Sequence, residues 1–125
     1  MINRVVLVGR LTKDAEIRRT GSGITMATFT VACDRMKKKD EQENKADFIR
    51  CIAWRQSAEF LEKYASKGML IGVDGRIQTG SYEDKEDGIT RYTTDIIVDR
   101  LYFADGIRDP EKKEEKRDDK RSRRR

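Results

Sequence analysis

The chain contains no histidine among its 125 residues. That removes Ser-His-Asp triads, histidine general bases and histidine-containing zinc sites, and much hydrolytic chemistry with them. Cysteine is scarce. Cys33 and Cys51 lie inside apolar, strand-like runs rather than in a CxxC pair or a disulfide framework, as buried thiols in a reducing compartment would. Long apolar runs are missing too: the opening MINRVVLVGR is too short in its apolar part for a signal peptide, and nothing later approaches a membrane span. The expectation is a cytoplasmic protein with no membrane partner. No GxxxxGK[ST] loop occurs, and the Gly21/Gly23 pair lacks the third glycine and following helix of a dinucleotide site. Asp74, Asp95 and Asp99 could meet across paired strands as a metal site, but solvated or ion-paired strand carboxylates are far commoner. Neither metal nor cofactor is expected, and an enzyme is not the reading.

Charge is abundant: 28 Lys and Arg stand against 23 Asp and Glu, for a formal net charge of +5. It is unevenly spread. From Ala104 onward ten Lys/Arg face seven Asp/Glu, so this tail holds +3 of the total and residues 1–103 only +2. The body's charge permits a nucleic-acid partner without demanding one. The tail's composition cannot bury a core, so disorder with fleeting helix from Asp109-Pro110 is expected there.

The most informative stretch is DFIRCIAWR, Asp47 to Arg55. Read as a strand, Phe48, Arg50, Ile52 and Trp54 share one face and Ile49, Cys51 and Ala53 the other. The second face is small and apolar. The first sets two large aromatics around an arginine, with Arg55 just beyond, which suits stacking on bases beside phosphates. The same pattern also fits a half-buried strand whose aromatics pack under a neighbouring element while Arg50 snorkels.

Around it, Arg4 to Leu11 begins with the apolar run Val5 to Val8 and reads as a strand buried on both faces. Leu11 to Arg19 reads as a polar connector, and Thr20 to Gly23 as a turn. Ile24 to Cys33 alternates cleanly, with Ala27, Phe29, Val31 and Cys33 on one face. Asp34 to Ala46 reads as a charged hairpin tip. Ser57 is the expected N-cap of a short helix closed by Gly68. Met69 to Tyr82 and Ile89 to Phe103 form a long hairpin turned at Asp87-Gly88, with Gly72 and Gly75 bending its first arm. The count predicts an all-β five-stranded Greek-key barrel, the OB fold, with one short helix between strands 3 and 4 and a charged C-terminal tail.

These segments, NRVVLVGRLTKDAEIR, ATFTVA, ADFIRCIAW, AEF, KGMLIGVDGRIQT and RYTTDIIV, resemble in order and spacing the bacterial and phage single-stranded DNA-binding protein family, over residues 1–103. The resemblance implies an OB-fold domain that assembles as a homotetramer, wraps single-stranded DNA with little sequence preference and serves replication, recombination and repair beside the nucleoid. It places Phe48, Trp54 and Tyr82 at base-stacking positions, with Tyr92 as a further candidate that could instead hold its hairpin together. Met36 stands where the family usually has another aromatic, and Gly80 where many members carry a basic residue. Candidate phosphate contacts are Arg10, Arg18, Lys37, Arg50, Arg55, Arg76 and Arg91. Family members of chromosomal replication end in an acidic segment with an apolar tip that docks replication and repair enzymes. This chain ends in KRSRRR, so residues 104–125 are expected to lack that docking tip, and an accessory or phage role is favoured.

Two other readings use the same residues. One is an OB-fold module for single-stranded RNA. The other is an assembly protein whose Phe48 face is a subunit interface.

Overall fold

The computed structural model describes residues 1–36 and 45–104. Lys37, most of the charged hairpin tip and the tail from Asp105 onward lie outside the described residues. Six strands run in the order β1 (Val5–Leu11), β2 (Glu16–Arg19), β3 (Thr25–Asp34), β4 (Ala46–Trp54), then helix α1 (Gln56–Tyr64), β5 (Leu70–Glu83) and β6 (Thr90–Phe103). They form one mixed sheet ordered β1-β5-β6-β4-β3-β2, in which only β4 and β6 run parallel.

This corrects the expected five-stranded Greek-key barrel. Among the described residues there are six strands, the helix lies between β4 and β5 rather than between the third and fourth strands, and the sheet ends at β2 instead of closing as a five-stranded barrel. The sheet does curl enough for β1 to touch β3 over two rungs, Arg10↔Ala32 and Leu11↔Val31. The additional strand is β2, expected as connector. At four residues with only Ile17 turned inward, it is too short and polar to carry a strand pattern, and its pairing with β3 defines it.

The core lies on the inner face of the curled sheet. Ala27, Phe29 and Val31 from β3, Cys51 and Ala53 from β4, Ile71 and Val73 from β5, and Ile96 and Val98 from β6 are all buried. Helix α1 covers one end of this core with Ala58 and Leu61. Burying Leu61 contributes about 1.5–3 kcal/mol. Phe60 extends the contact, its ring 5.0 Å from that of Phe103.

Two local expectations change. The helix N-cap is Arg55, not Ser57, and its C-cap is Ala65, not Gly68. Gly68, at φ 88°, instead turns the chain into β5. β1 is buried on one face only: Val6 and Val8 stand exposed on the other. A continuous apolar run fits a doubly buried strand equally well, so sequence pattern alone could not separate the two.

Candidate nucleic-acid interface

Backbone pairing places the outward side chains of six strands in rows. Directly paired residues project from the same face of a sheet, so each row can be read across the ladder. Arg10 on β1 lies across Ala32 of β3 from Phe48 of β4. Thr30 pairs with Arg50. The longest row runs Glu16, Thr28, Ile52, Ile97 and Arg76, from β2 to β5. The last runs Arg18, Met26 and Trp54.

β3 therefore offers Ala32, Thr30 and Thr28 to the larger Phe48, Arg50 and Ile52. Small neighbours leave the large side chains standing clear. Phe48 is 70% exposed and Trp54 41%, so at least one ring face of each is open to a flat partner. The inward face of β4, by contrast, holds buried Cys51 and Ala53. Burial pushes the Cys51 thiol up to about 12, with Cys33 and Asp95 adding to the shift.

The long hairpin carries this face outward. From Arg76 to Glu83 every residue of β5 is exposed, although each one pairs with β6. The register is unbroken over this arm, and alternation puts Arg76, Gln78, Gly80 and Tyr82 on the face shared with Ile52 and Ile97. Tyr82 pairs with Arg91 and is 54% exposed. Tyr92 pairs with Ser81, so it projects from the opposite face, the one shared with buried Ile96. Met36 is exposed just beyond the end of β3.

The cations of this face are mostly engaged. Arg50 Nε lies 3.6 Å from Asp95 Oδ1, an ion pair too long for a good hydrogen bond. Arg18 pairs with Glu16 at 2.9 Å, and Arg76 donates to Gln78 at 3.0 Å. Arg10 donates to the carbonyl of Gly68 at 2.9 Å. Arg91 clasps the hairpin tip, 3.1 Å from Asp84 and 2.7 Å from Asp87. The Arg55 guanidinium has no ion-pair partner among the described residues. Its backbone sits at φ 58°, ψ −122°, where a side chain is strained, and its N–H donates to the Thr25 carbonyl at 2.8 Å. This corner takes the chain from β4 directly into α1.

Asp74, Asp95 and Asp99 do not gather. Asp74 accepts both donors of Arg4, at 3.0 and 2.7 Å, while Asp95 faces Arg50. No cluster of three or more metal-binding side chains occurs among the described residues. The Arg4 pairing holds the Asp74 carboxyl below its ordinary range. Sequence reasoning named the aromatics but missed Met26, which flanks Trp54, and read Asp95 as a metal candidate rather than as the partner that restrains Arg50; both depend on strand register, which one sequence does not display.

Residues 2–104 match the sequence model of the Single-strand binding protein family. The chain belongs to the single-strand binding protein family. It is 54% identical over 105 residues to the "Single-stranded DNA-binding protein" of Streptococcus pyogenes serotype M1, covering 84% of this chain and 64% of that one. Similarity to "Single-stranded DNA-binding protein 3" of Listeria innocua serovar 6a is 50% identity over 105 residues, 84% of this chain and 65% of the relative. To the Bacillus cereus "Single-stranded DNA-binding protein" it is 47%, over 84% of this chain and 61% of the relative. The chain thus spans just under two thirds of the length of these relatives.

Proposed function

We propose that this chain binds single-stranded DNA without sequence preference, coating and protecting unpaired strands during replication, recombination and repair in the cytoplasm. The observation that carries the reading is the open row of Phe48, Arg50 and Trp54 on one sheet face, continued by Tyr82 on the hairpin arm. Unpaired bases can stack on these rings while phosphates replace the weak partner of Arg50 and meet Arg55, which has no ion-pair partner among the described residues. Every base has a π-face, so such a surface has little reason to prefer a sequence. A duplex hides those faces, so preferential binding of the open state melts hairpins by mass action, without nucleotide hydrolysis.

Self-association to a tetramer belongs to the same reading. Val6, Val8 and Tyr102 form an exposed apolar patch around Gly72, and no described strand pairs with the β1 edge from Val5 to Gly9 opposite β5. A second copy of the chain would cover both. In this reading residues 1–103 are the binding unit and the basic end of residues 104–125 adds phosphate contacts.

The test is Trp54 fluorescence during titration with poly(dT), at low and high salt, with duplex DNA as control and RNA as competitor. Quenching by the single strand that persists partly at high salt is expected, because stacking is less salt-sensitive than phosphate contact. Retained binding without quenching would remove Trp54 from the interface, and preferential displacement by RNA would favour an RNA-binding role.

A further inference from the structure

Where β1 ends, one side chain continues its ladder. Val5 pairs with Gly75 in the β1–β5 register, and extending that register outward places Asn3 opposite Ile77. Asn3 lies outside the strand, yet its amide fills the missing rung: Asn3 Nδ2 donates to the Ile77 carbonyl at 2.9 Å, and the Ile77 N–H donates to Asn3 Oδ1 at 2.9 Å. Both backbone polar groups of one residue are thus satisfied by one side chain. The adjacent Arg4 reinforces the attachment through its two bonds to Asp74.

The place is significant. Ile77 is 44% exposed and sits where β5 leaves the body to become the hairpin arm. Beyond it, among the described residues, β5 is paired only with β6, so a two-stranded ribbon carries Tyr82. Isolated two-stranded ribbons twist and swing readily. Only their attachment to the body fixes the angle at which the tip is held. We propose that Asn3 is a positioning residue for single-strand binding: by pinning Ile77 it holds the arm so that Tyr82 stays aligned with Trp54 and Phe48. The proposal rests on the single-stranded DNA reading above. The amide does this with donor and acceptor together, which no aliphatic, acidic or basic side chain of that length can do.

The experiment compares the full chain with Asn3→Ala, Tyr82→Ala and the double variant, reading Trp54 quenching by poly(dT). Asn3→Ala is expected to weaken binding about 2- to 30-fold, the range of residues that act at a distance through a coupled element. In the Tyr82→Ala background the same change should cost little, because the arm no longer carries the ring being positioned. Independent, multiplying losses would overturn the inference. Amide exchange supplies the second measurement: in Asn3→Ala the Ile77 N–H should exchange faster while the buried Leu61 amide in α1 is unchanged. Unaltered exchange at Ile77 would also overturn it. Should the wild-type chain fail to bind poly(dT), the functional reading falls and takes this inference with it; binding by the wild type with independent losses removes only the role of Asn3.

Discussion

Tyr82 and Tyr92 stand on opposite faces of one hairpin, Tyr82 paired with Arg91 and Tyr92 with the neighbouring Ser81. Only Tyr82 shares the face of Phe48, Arg50 and Trp54. Both rings are exposed, Tyr92 at 84% more than Tyr82 at 54%, so exposure would favour Tyr92 and orientation is what selects Tyr82. Tyr82→Ala is expected to weaken poly(dT) binding by about 1–3 kcal/mol, the worth of a stacked base. Tyr92→Ala should change it by less than about 0.5 kcal/mol, as surface substitutions away from a site do. Equal losses for the two variants in a fluorescence titration would contradict the assignment of faces.

Arg55 separates stability from binding. Its φ of 58° costs about 1–3 kcal/mol for a residue with a side chain, and glycine would relieve most of that. Arg55→Gly should therefore raise the unfolding free energy by about 1 kcal/mol in urea denaturation. The same variant should bind single strands more weakly and lower the salt slope of log K by about 0.7, the share of one phosphate contact on a single strand. A variant that is stabilised and binds with an unchanged slope would show that Arg55 serves the corner alone.

Much of this face is legible in the sequence. The period-two alternation from Phe48 to Trp54 is sharp because its inward residues are small and apolar and its outward ones are not, and the structure keeps that division. Other features turn on pairing. Glu16 to Arg19 looks like connector until β3 is beside it, and the face of Tyr92 is fixed only by the β5–β6 register. Val6 and Val8 misled for a related reason: an apolar strand awaiting a partner has the same sequence as one already covered. Ser57 has the chemistry of an N-cap, but the helix starts earlier, where the Glu59 N–H donates to the Arg55 carbonyl at 2.9 Å. Single-sequence reading registers side-chain type and period; it does not register which strand lies next to which.

Gly75 tests the bend that launches the hairpin. The β5–β6 register shifts between Asp74 and Gly75, and a Cβ built on Gly75 would lie 2.2 Å from the Ile97 carbonyl oxygen. Backbone cannot retreat there without breaking the ladder. Gly75→Ala should destabilise the fold by about 1–3 kcal/mol or more, as overpacking does. Gly21→Ala, in a turn with nothing within 4 Å of the added carbon, should be close to neutral. Comparable thermal midpoints for the two variants would mean the bend is softer than this contact implies.

Acid should loosen the fold where arginine holds carboxylates, and neutral pH should not. Hydrogen bonding to Arg4 lowers the pKa of Asp74, and hydrogen bonding to Arg35 lowers that of Asp47, each below the ordinary 3.8. A carboxyl with a depressed folded-state pKa binds its proton more readily once unfolded. Its stabilising contribution is therefore complete above about pH 4 to 5 and is lost as pH falls through the unfolded and then the folded value. No histidine is present to titrate between pH 5 and 8. Urea midpoints should be flat across that interval and fall below about pH 4. In Asp74→Asn the fall should be shallower, because the Arg4-linked proton uptake is gone, with the starting stability already reduced. A marked change in wild-type stability between pH 5 and 8 would require a titrating group other than these paired carboxylates.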